Sequence, residues 1–598
     1  MNLNKFVTDE IKSALGGIPA FAGVDLSNIV VEVPRAREHG DFSTNAALVL
    51  KTLGAPRDVA AAILPNIAAL GFVADASVAG PGFINIKLKD EFILEQSFPS
   101  VTASGAETLD SGFAVQPRPG MTPLVIDLDY GSYNVAKSLH IGHLRTSIVG
   151  DTFNRIAKYL GHKTVSYNHI GDWGRPMGLV IAYIESLHPD WPFFAENFDA
   201  GADLSEYKIS AAELDQYYPA ASARAKEDTE FLARAQSITK EFQDGHPGHN
   251  ALYKLFLKVS LDMMDDIIKK LNMMSFDNTL GEANASEYVG AVEKLLREKK
   301  LLVSDDGAEI VNVKRDTDTA PMPPLMFLNS RGADTYGATD LGALYYRKKT
   351  DNPDRVIYFT DLRQNLHFQQ VFRVAEMTGL FAAEQLEHIG YGTINGPDGK
   401  PFKTRDGNVA GLLDIIEMVD EAARHRVGDS GKILPDETVE MIALAALKFN
   451  DLLHDIKSNY VFDPDAVTQF EGRTGPYILY TAVRLNSIIN RVGARENAPD
   501  EKARFHAPLG IDERNLLLAI LDFERAINAA FDKRATDVLA NYTYDLCQLV
   551  NTFYHNCPIL RDDVPADVQA HRLGIVRAAV RTLSLATDLM GLKIPAEM

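Results

Sequence analysis

The sequence is poor in cysteine and in long apolar stretches. Cys547 and Cys557 are its two cysteines in 598 residues, too few for a disulfide framework or a cysteine-rich zinc site. It contains no run of roughly 18 apolar residues, the length that crosses a bilayer, and its N-terminal stretch lacks the apolar segment of a signal peptide. These absences exclude disulfide-rich secreted and membrane-spanning classes, and we expect a cytoplasmic protein with no membrane partner.

Positive charge is also scarce. The chain has 60 Lys and Arg against 81 Asp and Glu, a net charge of -21, which disfavours diffuse binding to nucleic acid. Any polyanion must therefore be held by local basic patches. The apolar fraction of 46% and the charged fraction of 24% are ordinary for a globular protein, and the length predicts roughly three or four domains.

The chain divides into three parts with different patterns. Residues 1–95 mix helix-like and strand-like segments, as in a small α+β domain. Residues 120–434 alternate strands and helices, with an interruption of charged helical material at about 185–320 that we interpret as an insertion. Residues 435–598 are almost wholly helical by pattern, which predicts a separate helical bundle.

The second part begins with a βαβ pattern. The near-continuous apolar run "PLVIDLDY" is typical of a buried parallel strand, and it is followed by a helical repeat and a second strand, "KTVSYNHIGD". The predicted fold class is α/β: a Rossmann-type doubly wound parallel sheet with a helical insertion, a small α+β N-terminal domain and an all-α C-terminal bundle.

A pair of histidines lies where the first predicted strand passes into its helix. "HIGH" places His140, Gly142 and His143 at a helix N-terminus, where unpaired N–H groups and the dipole favour phosphate. Imidazoles can donate to phosphate oxygens, and a glycine lets a nucleotide lie against the backbone. The alternative is a pair of histidines that only caps the helix, which the position after a buried strand disfavours.

This stretch resembles the ATP-binding signature of class I aminoacyl-tRNA synthetases. The segment from "DLDYGSYNVAKSLHIGHLR" to "NHIGDWG" is similar to the arginyl-tRNA synthetases in particular. The resemblance continues through "YGATDLGALYYR", "GKPFKTRDG", "FEGRTGPYILY" and the terminal "MGLKIPAEM", so it covers essentially the whole chain. The N-terminal "HGDFSTNAALVL" resembles the extra tRNA-binding domain of that family. One departure is "YGSYN", where many relatives have Ser-Pro before the Asn.

The resemblance implies that the protein ligates L-arginine to its cognate tRNA with ATP, through an arginyl-adenylate, and releases AMP and pyrophosphate. His140, His143 and Lys137 are then expected to stabilise the negative charge that develops on phosphate oxygens. Mg²⁺ is expected to arrive bound to ATP, without a metal site in the protein. Residues 1–95 would be the add-on tRNA-binding domain and residues 435–598 the anticodon-binding domain, in an expected monomer.

"GKPFKTRDG" stands where this family has a mobile Lys-Met-Ser-Lys-Ser loop. Lys400, Lys403 and Arg405 give it positive charges that could close on the β and γ phosphates. Either Lys400 or Lys403 takes the place of a signature lysine, depending on register, and in one alignment Thr404 replaces the second lysine. In relatives with the same departure, a lysine at the position of Lys137 is thought to restore the missing charge. A solvated surface turn is the alternative interpretation.

The arginine pocket can be predicted partly from chemistry. A guanidinium is planar, permanently charged and has five N–H donors, so its site needs carboxylates and a flat wall. Tyr336 and Asp340 are four residues apart, on one face of a predicted helix, and Asp129 ends the first strand at the sheet edge where ligands bind. The resemblance adds Asn134 and Gln364 as polar contacts of the arginine. Taken singly, each residue is also compatible with a cap or a solvated surface group.

The helical C-terminal part is expected to contact tRNA. Tyr480 and Arg484, four residues apart, offer a stacking ring beside a phosphate ligand, although a core tyrosine and a solvated arginine would give the same pattern. Two other functions use similar sequences: nucleotidyl transfer to a small molecule, and RNA binding without catalysis. The first kind of enzyme lacks the long helical C-terminal part, and the intact histidines and cationic loop disfavour the second.

Overall fold

The structure is a computed structural model that describes residues 2–21, 23–34, 39–98, 107–108, 114–115, 122–136, 139–173, 175–330, 332–396, 398–400, 402, 410–493 and 508–598. Lys137, Lys403, Thr404 and Arg405 lie outside the described residues, so their roles stay predictions.

The N-terminal part contains α1 (Leu3–Gly16), β1 (Val31–Glu32), β2 (Phe42–Thr44), α2 (Ala46–Val49), α3 (Pro56–Ala68), β3 (Val73–Ala79), β4 (Phe83–Leu88) and α4 (Asp90–Ser97). The connection to the second part contains β5 (Glu107–Thr108) and β6 (Ala114–Val115).

The central part contains β7 (Val125–Asp129), α5 (Gly142–Tyr159), β8 (Lys163–Ile170), α6 (Arg175–Leu187), α7 (Ala211–Glu227), α8 (Thr229–Gln243), α9 (Pro247–Lys270), β9 (Asn278–Gly281), α10 (Glu282–Ser286), α11 (Val289–Glu298), β10 (Leu302–Asp305), β11 (Ala308–Val311), β12 (Leu325–Leu328), α12 (Tyr336–Thr350), β13 (Arg355–Asp361), α13 (Asn365–Thr378), β14 (Leu386–Tyr391), β15 (Ile394–Asn395), α14 (Leu412–Asp429), α15 (Asp436–Leu452), β16 (Tyr460–Val461) and α16 (Pro464–Val467). The C-terminal helices are α17 (Gly475–Gly493), α18 (Ile511–Leu521), α19 (Phe523–Lys533), α20 (Asp537–Asn556) and α21 (Ala566–Leu589).

A five-stranded parallel sheet organises the central part, in the order β14-β13-β7-β8-β9. Strands β8 and β9 lie on one side of β7, whereas β13 and β14 lie on its other side. The strand order therefore reverses between β7 and β13, and ligands of open α/β sheets bind beyond the carboxyl ends of the strands at such a point. This arrangement confirms the predicted fold class.

Helix α5 is buried along almost its whole length because it packs between the sheet and α15. Its Phe153 ring lies 5.4 Å from Phe359 of β13, measured between centroids. At its beginning, the Nε of Arg145 lies 3.0 Å from the Oδ1 of Asp451 in α15, and the guanidinium also donates to the Ser458 carbonyl at 2.7 Å. These buried contacts hold the start of α5 in place.

The segment expected as an insertion is partly built into the sheet. Helices α7, α8 and α9 are the predicted helical material, but β9 pairs in parallel with β8, with Asn278 opposite Tyr167. A strand of four residues is too short to give a periodic signal, so β9 could not be predicted from the sequence.

The chain forms two compact units, of which the central one comprises Ala114–Gln469 with Met590–Leu592. It therefore continues beyond residue 434, where the sequence suggested a boundary, because α14 packs on α15 and α15 packs on α5. Lys448 of α15 is fully buried, and its Nζ donates to the Leu271 carbonyl at 2.9 Å.

The other compact unit comprises Met1–Phe113, Phe470–Leu589 and Lys593–Met598. It contains an antiparallel sheet of order β1-β2-β4-β3 and the C-terminal helices. The buried Arg514 of α18 forms ion pairs with Asp41 and Asp90 and donates to the Leu88 carbonyl at 2.8 Å. A buried charge network thus joins the N-terminal α+β part to the helices of this unit.

Among the helices of the described residues, none is both long enough and apolar enough to cross a membrane. Cys547 and Cys557 are both buried free thiols.

Candidate active site

A cavity of about 570 Å³ opens at the carboxyl edge of the central sheet. Its walls come from the β7–α5 connection, the end of β8, the start of α10, the first turns of α12 and the β13–α13 connection. It brings together eight residues proposed from the sequence: Asp129, Asn134, His140, Gly142, His143, Tyr336, Asp340 and Gln364.

The histidine pair has a defined geometry. The two rings lie 4.1 Å apart between centroids. The backbone N–H of His140 donates to Nδ1 of His143 at 3.0 Å, and the N–H of Gly142 donates to Nδ1 of His140 at 3.1 Å. Because both Nδ1 atoms accept, a neutral ring carries its proton on Nε2, as a donor. A Cβ at Gly142 would lie 2.8 Å from the His140 ring, so glycine is needed for this ring position.

The departure at Tyr133 is accommodated inside the protein. Tyr133 is fully buried, its hydroxyl lies 2.6 Å from the Ser147 hydroxyl, and its ring meets His143 edge-on. The flanking Ser132 and Ala136 have φ values of 49° and 56°, a left-handed conformation that is costly for residues with a Cβ. Tyr133 therefore anchors a strained loop directly beneath the histidine pair.

The segment that follows the cationic loop returns to this histidine pair. His140 forms an antiparallel bridge with Gly411, and the N–H of Leu412 donates to the Leu139 carbonyl at 2.7 Å. Of the three predicted loop cations, Lys400 alone is described, and its side chain is exposed. Backbone bonds thus fix the end of the loop against the motif that it is expected to complete.

Asn134 is held by the second family-like block. The N–H of Val135 donates to the Gly171 carbonyl at 3.1 Å, and the N–H of Gly171 donates to the Tyr133 carbonyl at 3.0 Å. A Cβ at Gly171 would lie 2.8 Å from the Oδ1 of Asn134. Gly171, the first glycine of "NHIGDWG", therefore provides the space that the Asn134 side chain occupies.

Asp129 already has a guanidinium partner within the protein. Its carboxylate forms an ion pair with Arg347 of α12, and both side chains are almost wholly inaccessible. The guanidinium also lies over the Tyr167 ring, 4.4 Å from the centroid. Nearby, burial raises the pKa of Asp127 to about 8, although the charge of Arg347 opposes this. Asp129, predicted from the sequence to contact the substrate, lines the cavity, and its carboxylate also ties β7 to α12.

The acidic end of the cavity is formed by Asp340 and Glu282. Burial, together with the charges of Asp340 and then Asp172, raises the pKa of Glu282 to about 8. Asp172 accepts from the Tyr253 hydroxyl at 2.6 Å and from the N–H of Ala283 at 3.0 Å, which fixes the start of α10. Two carboxylates that line one cavity, one of them with a raised proton affinity, form a site that favours a cation.

Asp340 is also bound by a histidine of the next helix. The Nε2 of His367 lies 2.5 Å from Oδ2 of Asp340, and the Nε2 of His169 lies 4.0 Å from Oδ1. Burial disfavours the charged form of His367, but the hydrogen bond and the charge of Asp340 outweigh it and raise the pKa of His367. Gln364 lies exposed just before α13, at the rim of the cavity.

Sequence reasoning missed Glu282 and His367. Glu282 lies in the segment interpreted as an insertion, directly after the undetected strand β9. His367 follows Gln364 by three residues, and this spacing within a helix N-terminus was the available signal.

The C-terminal residues proposed for tRNA lie on α17. The Arg484 guanidinium lies 4.0 Å from the centroid of the Tyr554 ring of α20, whereas Tyr480 is 39% exposed. A second pair of the same kind lies nearby, with Arg473 at 4.9 Å from the Tyr544 ring. Arginines over tyrosine rings offer stacking and phosphate contacts together.

Family models match three segments of the chain. The catalytic domain of class I tRNA synthetases (R) matches residues 116–464. The DALR anticodon binding domain matches residues 478–598, and the arginyl tRNA synthetase N-terminal domain matches residues 2–88.

Relatives match over the full length of the chain. The arginine–tRNA ligase of Alkaliphilus oremlandii is 36% identical over 96% of this chain and 97% of its own. That of Francisella tularensis subsp. novicida is 34% identical over the whole of both chains. The solved arginyl-tRNA synthetase of Thermus thermophilus has the same fold, with a TM-score of 0.78 at 23% identity over the whole of both chains.

Proposed function

Because the chain belongs to the class I arginyl-tRNA synthetases, we propose that the cavity at the sheet edge is the site of both steps of its reaction. The chain ligates arginine to tRNA. The arginine carboxylate attacks the α-phosphate of ATP and pyrophosphate leaves; the terminal ribose hydroxyl of the tRNA then attacks the arginyl carbonyl and AMP leaves.

We assign the ATP end to His140, Gly142 and His143. The Nε2–H groups and the helix N-terminus supply donors that need little reorganisation as charge develops on the phosphates. Lys137, Lys400 or Lys403, and Arg405 add the cations, and the backbone bridge between His140 and Gly411 supports their placement on this side. No covalent enzyme intermediate is needed.

The guanidinium end is assigned to Glu282 and Asp340, with Tyr336 as the flat wall. The observation that carries this assignment is that Glu282, Asp340 and Tyr336 line the same cavity. Burial and the charge of Asp340 also raise the pKa of Glu282. A guanidinium is permanently charged and has five N–H donors, so it can bind both carboxylates and balance their negative charge. The urea group of citrulline is neutral and cannot balance that charge. Asn134 and Gln364 are assigned to the α-amino and carboxylate groups, and Asp129 to holding α12 through Arg347.

Charging of total tRNA with each of the twenty amino acids and with citrulline tests this assignment. We expect charging with arginine alone. Preferential charging with lysine or citrulline would contradict the guanidinium site.

For tRNA, we assign Tyr480 and Arg484 to the anticodon-binding helices and residues 1–95 to the add-on tRNA-binding domain. The exposure of Tyr480 and the pairing of Arg484 with Tyr554 support the first assignment. The proposed functional parts remain residues 1–95, 120–434 and 435–598, although α15 (Asp436–Leu452) packs within the central unit.

We further propose that Mg²⁺ enters on the phosphate oxygens of ATP. Asp129 and Asp340 already bind Arg347 and His367, so neither carboxylate is proposed as a ligand of the ion. No residue of the chain is therefore assigned to the ion. A cytoplasmic location and a monomeric state complete the proposal.

A further inference from the structure

The pairing of His367 with Asp340 places a titratable group of the protein on the same carboxylate as the substrate guanidinium. His367 belongs to the first turn of α13 and Asp340 to the second turn of α12, and both line the cavity. The imidazole binds Oδ2 of Asp340, while Oδ1 lies on the side of His169.

We propose that His367 is a positioning residue that orients Asp340 for arginine and releases a proton to solvent when arginine binds. This inference rests on the proposed function, since it requires the guanidinium to bind at Asp340. His367 acts on arginine through Asp340 and is not assigned to the reacting atoms.

The geometry supports the positioning role. A carboxylate at a helix surface can rotate, and a bond to one oxygen fixes the plane in which the other oxygen accepts. The His367 ring is itself held by Phe368, which it meets edge-on at 5.5 Å, and Phe368 stacks on His388 at 4.7 Å. Asp340 is therefore oriented through a chain of packed rings.

The proton release follows from electrostatics. Asp340 on α12 binds His367, and His388 on β14 interacts with it electrostatically. His169 on β8 and Glu282 on α10 interact with the same Asp340 carboxylate. A guanidinium at Asp340 adds a fixed cation near the imidazolium and lowers the proton affinity of the ring. The ring can lose one proton to solvent while Nε2–H keeps its bond to Asp340, so the charge changes and the orientation is kept.

The proton affinities of His367 and Glu282 determine how the affinity for arginine changes with pH. His367 and Glu282 both hold protons more strongly in the empty cavity than their ordinary values predict, and arginine must displace these protons. Affinity for arginine should therefore fall as the pH is lowered from about 8, the pKa of Glu282, because more protons must then be displaced.

Isothermal titration of arginine into the full-length protein, in two buffers of different ionisation enthalpy at pH 7, counts the protons released. His367→Gln retains an N–H at the position of Nε2 without a charge, and it should release fewer protons than the wild type, by up to about one per arginine bound. His425→Gln is the matched control, because His425 is an exposed histidine of α14 that does not line the cavity, and it should match the wild type.

Steady-state kinetics test the positioning role. His367→Ala should raise the KM for arginine about tenfold, as expected for a lost bond to a charged group, and change the KM for ATP less than about twofold. His367→Gln should restore most of this loss at pH 8.

The results of these experiments distinguish failure of the His367 inference from failure of the proposed function. Equal proton release by the wild type and His367→Gln, or equal rises of both KM values in His367→Ala, would overturn the inference alone. A wild-type protein that binds no arginine would overturn the proposed function together with it.

Discussion

The guanidinium of Arg347 binds the carboxylate of Asp129 at the base of the cavity, and this buried ion pair connects the strand before the histidine motif to the helix of Tyr336 and Asp340. Arg347 follows Asp340 by seven residues, so both lie on the same side of α12. The ion pair therefore links the ATP end of the cavity, which follows β7, to the guanidinium end on α12.

Removing one partner should be costly, because the other charge stays buried. Arg347→Met is expected to lower the free energy of unfolding by about 3 kcal/mol or more. Urea unfolding followed by tryptophan fluorescence reports on the right unit, since Trp173 and Trp191 both belong to it. The double variant Arg347→Met with Asp129→Asn should recover part of the loss; a double variant as unstable as the sum of both single variants would contradict the pairing.

Gly171→Ala tests the support of Asn134. The added methyl would lie 2.8 Å from the Asn134 Oδ1, so we expect a displaced side chain and a KM for arginine raised about tenfold. Gly290→Ala in α11 is the control, because a Cβ there meets nothing within 4 Å. A similar KM in the two variants would remove Asn134 from the arginine site.

Arg484→Gln tests the tRNA assignment. It should raise the KM for tRNA roughly fivefold and reduce the salt slope of tRNA binding by about one, as expected for a lost phosphate contact. The KM values for arginine and ATP serve as internal controls. An unchanged KM for tRNA at every salt concentration would make the contact with Tyr554 purely structural.

Lys137→Ala tests the replacement of a missing loop charge. If Lys137 supplies a cation to the phosphates, adenylate formation should slow about tenfold to a hundredfold while tRNA affinity stays nearly intact. Single-turnover formation of adenylate in the presence of tRNA gives the first quantity, and filter binding gives the second. Near-normal activation would reduce Lys137 to a charge beside the helix.

The sequence predicted the sheet and the histidine motif because each combines a local pattern with a position. The importance of position is clear from a second His-x-Gly-His, at His246–His249, whose rings also lie 4.1 Å apart. There, a Cβ at Gly248 would lie 2.1 Å from the Phe193 carbonyl oxygen, so the glycine serves helix packing. The motif marks a cavity only where it follows a buried strand at the sheet edge.

The guanidinium site was harder to predict because it depends on pairings between distant segments. Asp340 and Tyr336 share one helix and could be predicted from spacing. Glu282 and His367 reach the same cavity only through the packing of α10 and α13, and the engagement of Asp129 depends on Arg347, which is 218 positions away. Local sequence patterns cannot identify contact partners that are so far apart in the chain.

The most direct measurement of the central claim is the effect of Asp340→Asn on the two small substrates. The substitution keeps the shape of the side chain and removes the charge that the guanidinium needs. We predict that the KM for arginine rises about a hundredfold, ~3 kcal/mol, while the KM for ATP changes less than about twofold. Comparable losses for arginine and ATP would contradict the account and give Asp340 a structural role.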